Sequence, residues 1–221
     1  MTSAEKTMPR IVDLSLPIRP DDPRGTVRFV PYRTLAEHGA MITLVTFDTH
    51  LGTHLDAPCH QLAGAPTLDQ VDLARCLGPA EVLDLRSKRP PDPLITPTDL
   101  APWADRIRAG GRVLLRTAWN DRFGQPGWDR DYPALTVEAA RWLAERGVVL
   151  VGIDTPSVAP VYLSRQVTNA VHEPLLRAGV VLVENLTNLG ALTRPSVFFI
   201  ALPLNLVGLD GCPVRAVAVE D

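Results

Sequence analysis

Three of the five histidines in this chain of 221 residues lie in one short segment, DTHLGTHLDAPCH, at residues 48–60. His50, His54 and Asp56 have the spacing H-x3-H-x-D. His60 follows four residues after Asp56. Imidazole nitrogens and a carboxylate oxygen together suit Zn²⁺, Mn²⁺ or Fe²⁺. A single histidine is usually a structural or solvated residue, but this cluster indicates a metal or catalytic site.

A tight turn is the expected setting of this cluster. Gly52, Thr53 and Pro58 argue against a helix. The apolar run at residues 42–47 predicts a strand just before the histidines. We expect the turn after that strand to gather the three ligands, and the rest of the site to come from other segments.

Two residues in the second half of the chain are candidates to complete the site. Glu184 closes the apolar run at residues 180–183, where a carboxylate is more often paired than free. His172 is expected at the start of a helix over residues 169–178, which ends at Gly179.

Asp154 and Ser157 follow another apolar run, at residues 148–153. In α/β folds, ligands tend to bind at the carboxyl ends of strands. Both residues are therefore candidates to bind a substrate. The alternative is that they only cap a turn.

Short apolar runs rich in Val and Ile recur along the chain, and most are continuous, which is typical of strands buried on both faces. They cover residues 11–14, 42–47, 82–85, 113–115, 148–153, 180–183, 197–202 and 214–219. Helices are predicted from a Thr96 N-cap to about Arg108, and over residues 137–146 and 169–178. Strands that alternate with helices predict an α/β fold, and without a visible linker we expect one domain over residues 1–221.

Composition excludes several classes of protein. The formal net charge is -3 with interspersed signs, so neither nucleic acid nor an anionic membrane is an expected partner. No apolar run approaches the roughly 20 residues of a membrane span, and the N-terminal segment does not resemble a signal peptide. Cys59, Cys76 and Cys212 are widely spaced and form no disulfide pattern, which predicts a reducing, cytoplasmic setting.

The segment HLGTHLDAPCH resembles the H-x-G-T-H-x-D-x-P-x-H signature of the cyclase-like metal-dependent hydrolases. This family includes bacterial kynurenine formamidases, isatin hydrolases and cyclases. Four further segments resemble family segments in the same order: RTAW, PALTVEAARWLAERGVVLVGIDTPSV, AVHEPLLRAGVVLVENLTNL and GLDGCPVRAVA. The resemblance covers most of the chain from about residue 11. It implies a mixed α/β domain with a swivelling-type β/β/α core, assembled as a homodimer or a higher oligomer.

The resemblance also implies roles for individual residues. The implied metal ligands are His50, His54, Asp56, His172 and Glu184. The first three bind one ion, Asp56 bridges to a second ion, and Glu184 is shared between the two. His60 is the implied general acid/base. The expected metal is Zn²⁺, two ions per chain, with Mn²⁺ or Fe²⁺ as alternatives.

The implied reaction is hydrolysis of a small-molecule amide or lactam. Hydroxide generated on the metal attacks the carbonyl, and His60 passes a proton to the leaving nitrogen. The expected substrate is N-formyl-L-kynurenine, which gives kynurenine and formate. Alternatives are ring opening of the isatin hydrolase kind with one Mn²⁺, a cyclase or dehydratase of secondary metabolism, and a Cys59–His60 thiol hydrolase. From another class, a non-catalytic metal or small-molecule binding protein remains open.

One segment departs from the family pattern. Family formamidases usually carry an aromatic residue in the N-terminal loop, in contact with the substrate ring. In this chain the corresponding loop has no aromatic residue before Phe29. We therefore expect Phe29, or Tyr32, to take that place in the substrate pocket.

Overall fold

The computed structural model describes residues 8–20, 22 and 27–220. This part of the chain contains thirteen strands and four α-helices. The strands are β1 Arg10–Asp13, β2 Arg28–Arg33, β3 Ile42–Thr46, β4 His54–Asp56, β5 Leu77–Asp84, β6 Leu94–Ile95, β7 Arg112–Arg116, β8 Ala134–Leu135, β9 Leu150–Ile153, β10 Val181–Glu184, β11 Ser196–Ile200, β12 Gly211–Pro213 and β13 Val217–Glu220. The helices are α1 Leu35–His38, α2 Pro97–Leu100, α3 Val137–Glu145 and α4 Arg165–Arg177.

Nine of the described strands form one mixed sheet, in the order β1-β13-β11-β5-β7-β9-β10-β4-β12. The neighbours β5, β7, β9 and β10 pair in parallel, and the strands outside them pair antiparallel. The predicted mixed α/β architecture is confirmed by this sheet and its helices. The extent of the domain, residues 1–221, stays a prediction.

The central strands are buried on both faces, as their continuous apolar runs predict. Along β7, Val113 and Leu115 pack in one apolar cluster, and Leu114 packs in another on the opposite face. Leu143 of α3 and Leu175 of α4 belong to the same cluster as Val113. The two helices therefore cover one face of the sheet at the strands that lead to the site.

Helix α4 begins earlier than the sequence pattern indicates. Ser164 is its N-cap, and the Ser164 side chain accepts a hydrogen bond from the backbone N–H of Val167. The predicted start near residue 169 is wrong by about one turn. His172 consequently lies in the second half of the helix rather than at its start, where it faces the sheet and is 2% exposed.

The helix predicted after Thr96 is much shorter than expected. The N-cap is present, since Asp99 Oδ2 accepts a hydrogen bond from the backbone N–H of Thr96. However, α2 ends at Leu100 and a 3₁₀ turn, Ala101–Trp103, follows it. Pro102 has no backbone N–H to donate to the preceding turn, so the prediction of a helix to Arg108 is wrong.

The apolar run at residues 42–47 does form a strand, but the strand lies outside the main sheet. β3 pairs with β2 in a two-stranded hairpin, and all residues of both strands are exposed. The prediction of burial on both faces is therefore wrong for this run. Similarly, the strand predicted at residues 214–219 begins only at Val217, and β12 precedes it. No helix among the described residues is long and apolar enough to cross a membrane.

Candidate metal centre

Strand β4 carries two of the predicted ligands and lies between β10 and β12. His54 and Asp56 are two residues apart on this strand, so their side chains project from the same face. Glu184, at the end of β10, is the register partner of His54. Only His50 lies in the turn that was expected to gather three ligands. The pleat of β4 and its pairing with β10 bring the other groups together.

Four buried side chains surround one point beside β4. His54 Nε2 lies 3.4 Å from Asp56 Oδ1 and 3.6 Å from Glu184 Oε2. From α4, His172 Nε2 lies 3.6 Å from Glu184 Oε1 and 3.9 Å from Asp56 Oδ2. Each of the four residues is at most 4% exposed. The sheet thus supplies three groups and the helix that covers it supplies the fourth.

Backbone hydrogen bonds fix which nitrogen of two histidines faces the centre. His54 Nδ1 lies 2.8 Å from the carbonyl oxygen of Gly52, and His172 Nδ1 lies 2.9 Å from that of Thr168. Because a carbonyl only accepts, each Nδ1 is the donor, and each Nε2 faces the carboxylates. The N···O separations of 3.4–3.9 Å exceed those of an N–H···O hydrogen bond. A divalent cation held between nitrogen lone pairs and carboxylate oxygens fits this arrangement.

The electrostatics of Asp56 suit a shared ligand. Burial alone would raise the pKa of Asp56, but the hydrogen bond with His50 and the interactions with the nearby His54 ring outweigh it and hold the pKa well below its usual range. Asp56 is therefore ionised at neutral pH. In turn, burial lowers the pKa of His54, while the Asp56 carboxylate more than compensates and raises it. The negative charge of Asp56 therefore suits the centre to a cation.

A second group of potential ligands shares Asp56 with the first. His50, Asp56 and His60 place one ligand atom each within 4.8 Å of one another, as do His54, Asp56 and Glu184. His50 Nδ1 lies 2.8 Å from Asp56 Oδ1. The rings of His50 and His60 are 4.0 Å apart between centroids. His60 ends the 3₁₀ turn Pro58–His60 and is partly exposed, so it borders the centre on its open side.

Ser157 contacts a predicted ligand. Its Oγ donates a hydrogen bond of 2.8 Å to Glu184 Oε1, and the backbone N–H of Val158 donates one of 2.7 Å to the same oxygen. Ser157 is 5% exposed. These contacts suit Ser157 to orient Glu184, and its direct contact with a substrate stays a prediction.

Asp154 caps the turn that follows β7, and its contact with a substrate stays a prediction. Its two carboxylate oxygens accept hydrogen bonds from the backbone N–H and hydroxyl of Thr117 and from the N–H of Ala118. Phe29 lies on β2 of the exposed hairpin, opposite Val45. Its contact with a substrate stays a prediction.

Sequence reasoning missed Asp210. Its Oδ2 lies 3.0 Å from His50 Nε2 and 3.7 Å from His60 Nδ1, and its Oδ1 accepts a hydrogen bond from Thr49 Oγ1. The one available signal was its place as the only acidic residue in the segment GLDGCPVRAVA. Next to it, Gly211 has no room for a side chain, since a Cβ there would lie 2.6 Å from the carbonyl oxygen of Leu55 and 3.0 Å from His50 Cε1.

The segment that includes β4 matches a known protein family. A family model described as "Putative cyclase" matches residues 12–160. The chain belongs to this cyclase family. The matched segment includes β4 and the turn that carries His50 and His60, and the family prediction is confirmed.

Among similar proteins of the cyclase family are several named kynurenine formamidase. That of Bordetella petrii is 37% identical over 179 residues, which cover 81% of this chain and 80% of the relative. That of Bordetella avium is 36% identical over 221 residues, with 96% of this chain and 99% of the relative covered.

Solved structures of cyclase-like hydrolases share the fold. Isatin hydrolase A from Labrenzia aggregata, bound to benzyl benzoate, matches with a TM-score of 0.85 and 26% identity, covering 96% of this chain and 94% of that one. A potential metal-dependent hydrolase with cyclase activity matches with a TM-score of 0.76 and 27% identity, covering 97% and 99%. The predicted fold is confirmed by these likenesses.

Proposed function

We propose that the protein is a metal-dependent amide hydrolase, an arylformamidase that converts N-formyl-L-kynurenine and water to kynurenine and formate. The observation that carries the proposal is the convergence of buried His54, Asp56, His172 and Glu184, with His60 on the open side of the centre. The relatives named kynurenine formamidase support this substrate.

We propose two Zn²⁺ ions per chain, with Mn²⁺ or Fe²⁺ as alternatives. The first ion would be held by His50, His54 and Asp56, and the second by Asp56, His172 and Glu184. Asp56 would be common to both ions, and Glu184 would be shared with the first, since its two oxygens lie 3.6 Å from His54 Nε2 and 3.6 Å from His172 Nε2. A divalent ion bound there would polarise a carbonyl oxygen and lower the pKa of a water to about 7.

His60 is proposed as the general acid/base. Burial lowers its pKa from 6.5, so the ring is neutral at pH 7 and one of its nitrogens can accept a proton from water. His60 then returns that proton to the leaving nitrogen of the substrate. An aniline-type leaving group needs this protonation less than an alkyl amine does, which suits an arylformamide. The alternative is that His60 is itself a ligand, because it lies in one group with His50 and Asp56.

A lactam-opening activity of the isatin hydrolase kind is the second candidate. The likeness to isatin hydrolase A favours it. Such an enzyme is expected to need one ion, on His50, His54 and Asp56, and to depend less on His172 and Glu184. The count of bound ions therefore separates the two candidates as well as the substrate does.

One experiment tests the proposed function. The purified protein is analysed for bound metal by mass spectrometry, and the same sample is assayed with N-formylkynurenine and with isatin. About two ions per chain with release of formate support the arylformamidase. About one ion with opening of isatin supports the second candidate. No metal, with no gain in activity on addition of Zn²⁺ or Mn²⁺, would contradict both.

We propose a homodimer in which the hairpin of β2 and β3 packs against a second copy of the chain. A two-stranded hairpin is marginally stable alone in water, and this one exposes a row of apolar side chains. They include Phe29, Val30, Tyr32, Ile42, Leu44 and Val45. Phe29 is kept as a proposed substrate contact. If the hairpin forms the interface, replacing Leu44 by Lys yields a monomer in light scattering, while Leu204→Lys at another exposed position does not.

We also propose that the protein acts in the cytoplasm. Cys59, Cys76 and Cys212 are unpaired with one another, which fits a reducing compartment. Localisation of a tagged chain by cell fractionation tests this proposal.

A further inference from the structure

Asp210 contacts the centre from the loop that leads into β12, the strand that pairs with β4 on the side away from β10. It immediately precedes β12, whose first residue, Gly211, is the register partner of Asp56. The backbone already anchors this position, because the N–H of Ala57 donates to the carbonyl oxygen of Asp210. The Asp210 side chain is therefore not needed to attach the loop to β4.

The two nitrogens of His50 have different partners. Nδ1 lies 2.8 Å from Asp56 Oδ1, on the side of the shared ligand, and Nε2 lies 3.0 Å from Asp210 Oδ2. In His54 and His172, Nδ1 faces away from the centre and donates a hydrogen bond to a backbone carbonyl oxygen. For His50, the group in the equivalent place is the Asp210 carboxylate. A carboxylate behind a ligating histidine fixes the ring orientation and the tautomer.

Further contacts make the Asp210 carboxylate a fixed partner for His50. Thr49 Oγ1 donates a hydrogen bond of 3.0 Å to Oδ1, which leaves Oδ2 toward His50. Behind the ring, the backbone at Gly211 lies so close that a Cβ would be 3.0 Å from His50 Cε1. The ring is thus confined by Gly211 and oriented by Asp210. Because the His60 ring packs 4.0 Å from that of His50, and Asp210 Oδ2 is 3.7 Å from His60 Nδ1, the same carboxylate also limits the position of His60.

We infer that Asp210 is a positioning residue, which holds His50 with Nδ1 toward the metal and Nε2–H toward its own carboxylate. The inference rests on the proposed metal centre. It predicts that Asp210 sets the affinity of the ion bound by His50, although it binds no ion itself.

The test measures metal affinity rather than turnover alone. Asp210→Ala and Asp210→Asn are compared with wild type by competition for Zn²⁺ against a chromophoric chelator. The second readout is the visible spectrum of the Co²⁺-loaded protein, which reports coordination geometry. Loss of such a partner typically lowers affinity about 10- to 100-fold. We expect the alanine variant to lose Zn²⁺ affinity in that range and to show a changed Co²⁺ spectrum. The asparagine variant is expected to keep part of the affinity, because its amide oxygen still accepts a hydrogen bond from Nε2–H.

Asp69→Ala is the matched control. Asp69 anchors the same loop, since its Oδ1 accepts hydrogen bonds from the N–H of Gly208 and from Thr67 Oγ1. The control is expected to leave Zn²⁺ affinity and the Co²⁺ spectrum as in wild type. Equal losses in the Asp69 and Asp210 variants would show that only loop anchoring matters, and wild-type affinity in Asp210→Ala would overturn the role. Wild-type protein that binds no ion would instead refute the metal centre itself.

Discussion

Ser157 Oγ donates a hydrogen bond of 2.8 Å to Glu184 Oε1, and the N–H of Val158 donates to the same oxygen. Glu184 Oε2 is left facing His54 Nε2, at 3.6 Å. The turn after β9 thus holds a carboxylate that ends β10 and selects which of its oxygens is turned toward His54.

Replacing Ser157 by Ala is expected to weaken binding of the ion at Glu184 about 10- to 100-fold, because the carboxylate loses one of the two donors that orient it. Chelator competition measures the loss. Thr155→Val is the matched control, since the Thr155 hydroxyl donates to the carbonyl of Ser157 and stabilises the same turn without contacting Glu184. Unchanged affinity in the Ser157 variant would contradict an orienting role.

Replacing His60 by Ala is expected to lower kcat about 100- to 10,000-fold while both ions remain bound, because general acid–base transfer contributes on this scale. Metal content and turnover are measured on the same samples. His38→Ala, in the exposed helix α1, is the control and is expected to change neither. Loss of one ion per chain would instead identify His60 as a ligand.

Asp154 gives a pH dependence of stability that is separate from the metal centre. Burial raises its pKa from 3.8 to about 6, against the hydrogen bonds from Thr117 and Ala118 that lower it. Between pH 4 and 6 the folded state then binds more protons than the unfolded state. The protonated Asp154 therefore stabilises the fold fully below pH 4, and this stabilisation is lost as pH rises through 6.

As pH rises from 5 to 7, loss of the Asp154 proton is expected to lower the free energy of unfolding by about 1 kcal/mol. Asp154→Asn, which does not titrate, lacks this slope, although it is less stable at both pH values because Ala118 N–H loses its acceptor. Urea unfolding of both proteins at the two pH values gives the difference. If the free energies of unfolding of wild type and Asp154→Asn change equally between the two pH values, Asp154 is ionised throughout this range.

The core of the fold was predictable because its signal is local. Continuous apolar runs identify β7, β9 and β10, and the i, i+2 spacing of His54 and Asp56 already places both side chains on one face of any strand. Helix ends were less predictable. Pro102 ends α2 within two turns of Thr96. Because Ser164 caps α4, His172 lies in the second half of that helix rather than at its start.

Partners that are distant in sequence could not be predicted from spacing. His50 and Asp210 are 160 positions apart and meet only because β12 pairs with β4. Likewise, nothing local in the sequence indicates that the Ser157 hydroxyl donates to Glu184. The exposure of β3 could not be predicted either, because its apolar run has the pattern of a buried strand. Among the described residues, β3 pairs only with β2.

Gly211 is expected to be intolerant of even a methyl group. In Gly211→Ala the new Cβ would lie 2.6 Å from the carbonyl oxygen of Leu55, a backbone atom of β4 that cannot move without displacing its neighbours His54 and Asp56. Overpacking of this kind lowers the free energy of unfolding by about 1–3 kcal/mol. The variant should also bind Zn²⁺ more weakly, since the His50 ring is pushed from its place.

Gly190→Ala, where the nearest atom is 3.5 Å from the added Cβ, is expected to match wild type in thermal unfolding and in metal content. If the two variants behave alike, the close approach of β12 to β4 is not what holds His50.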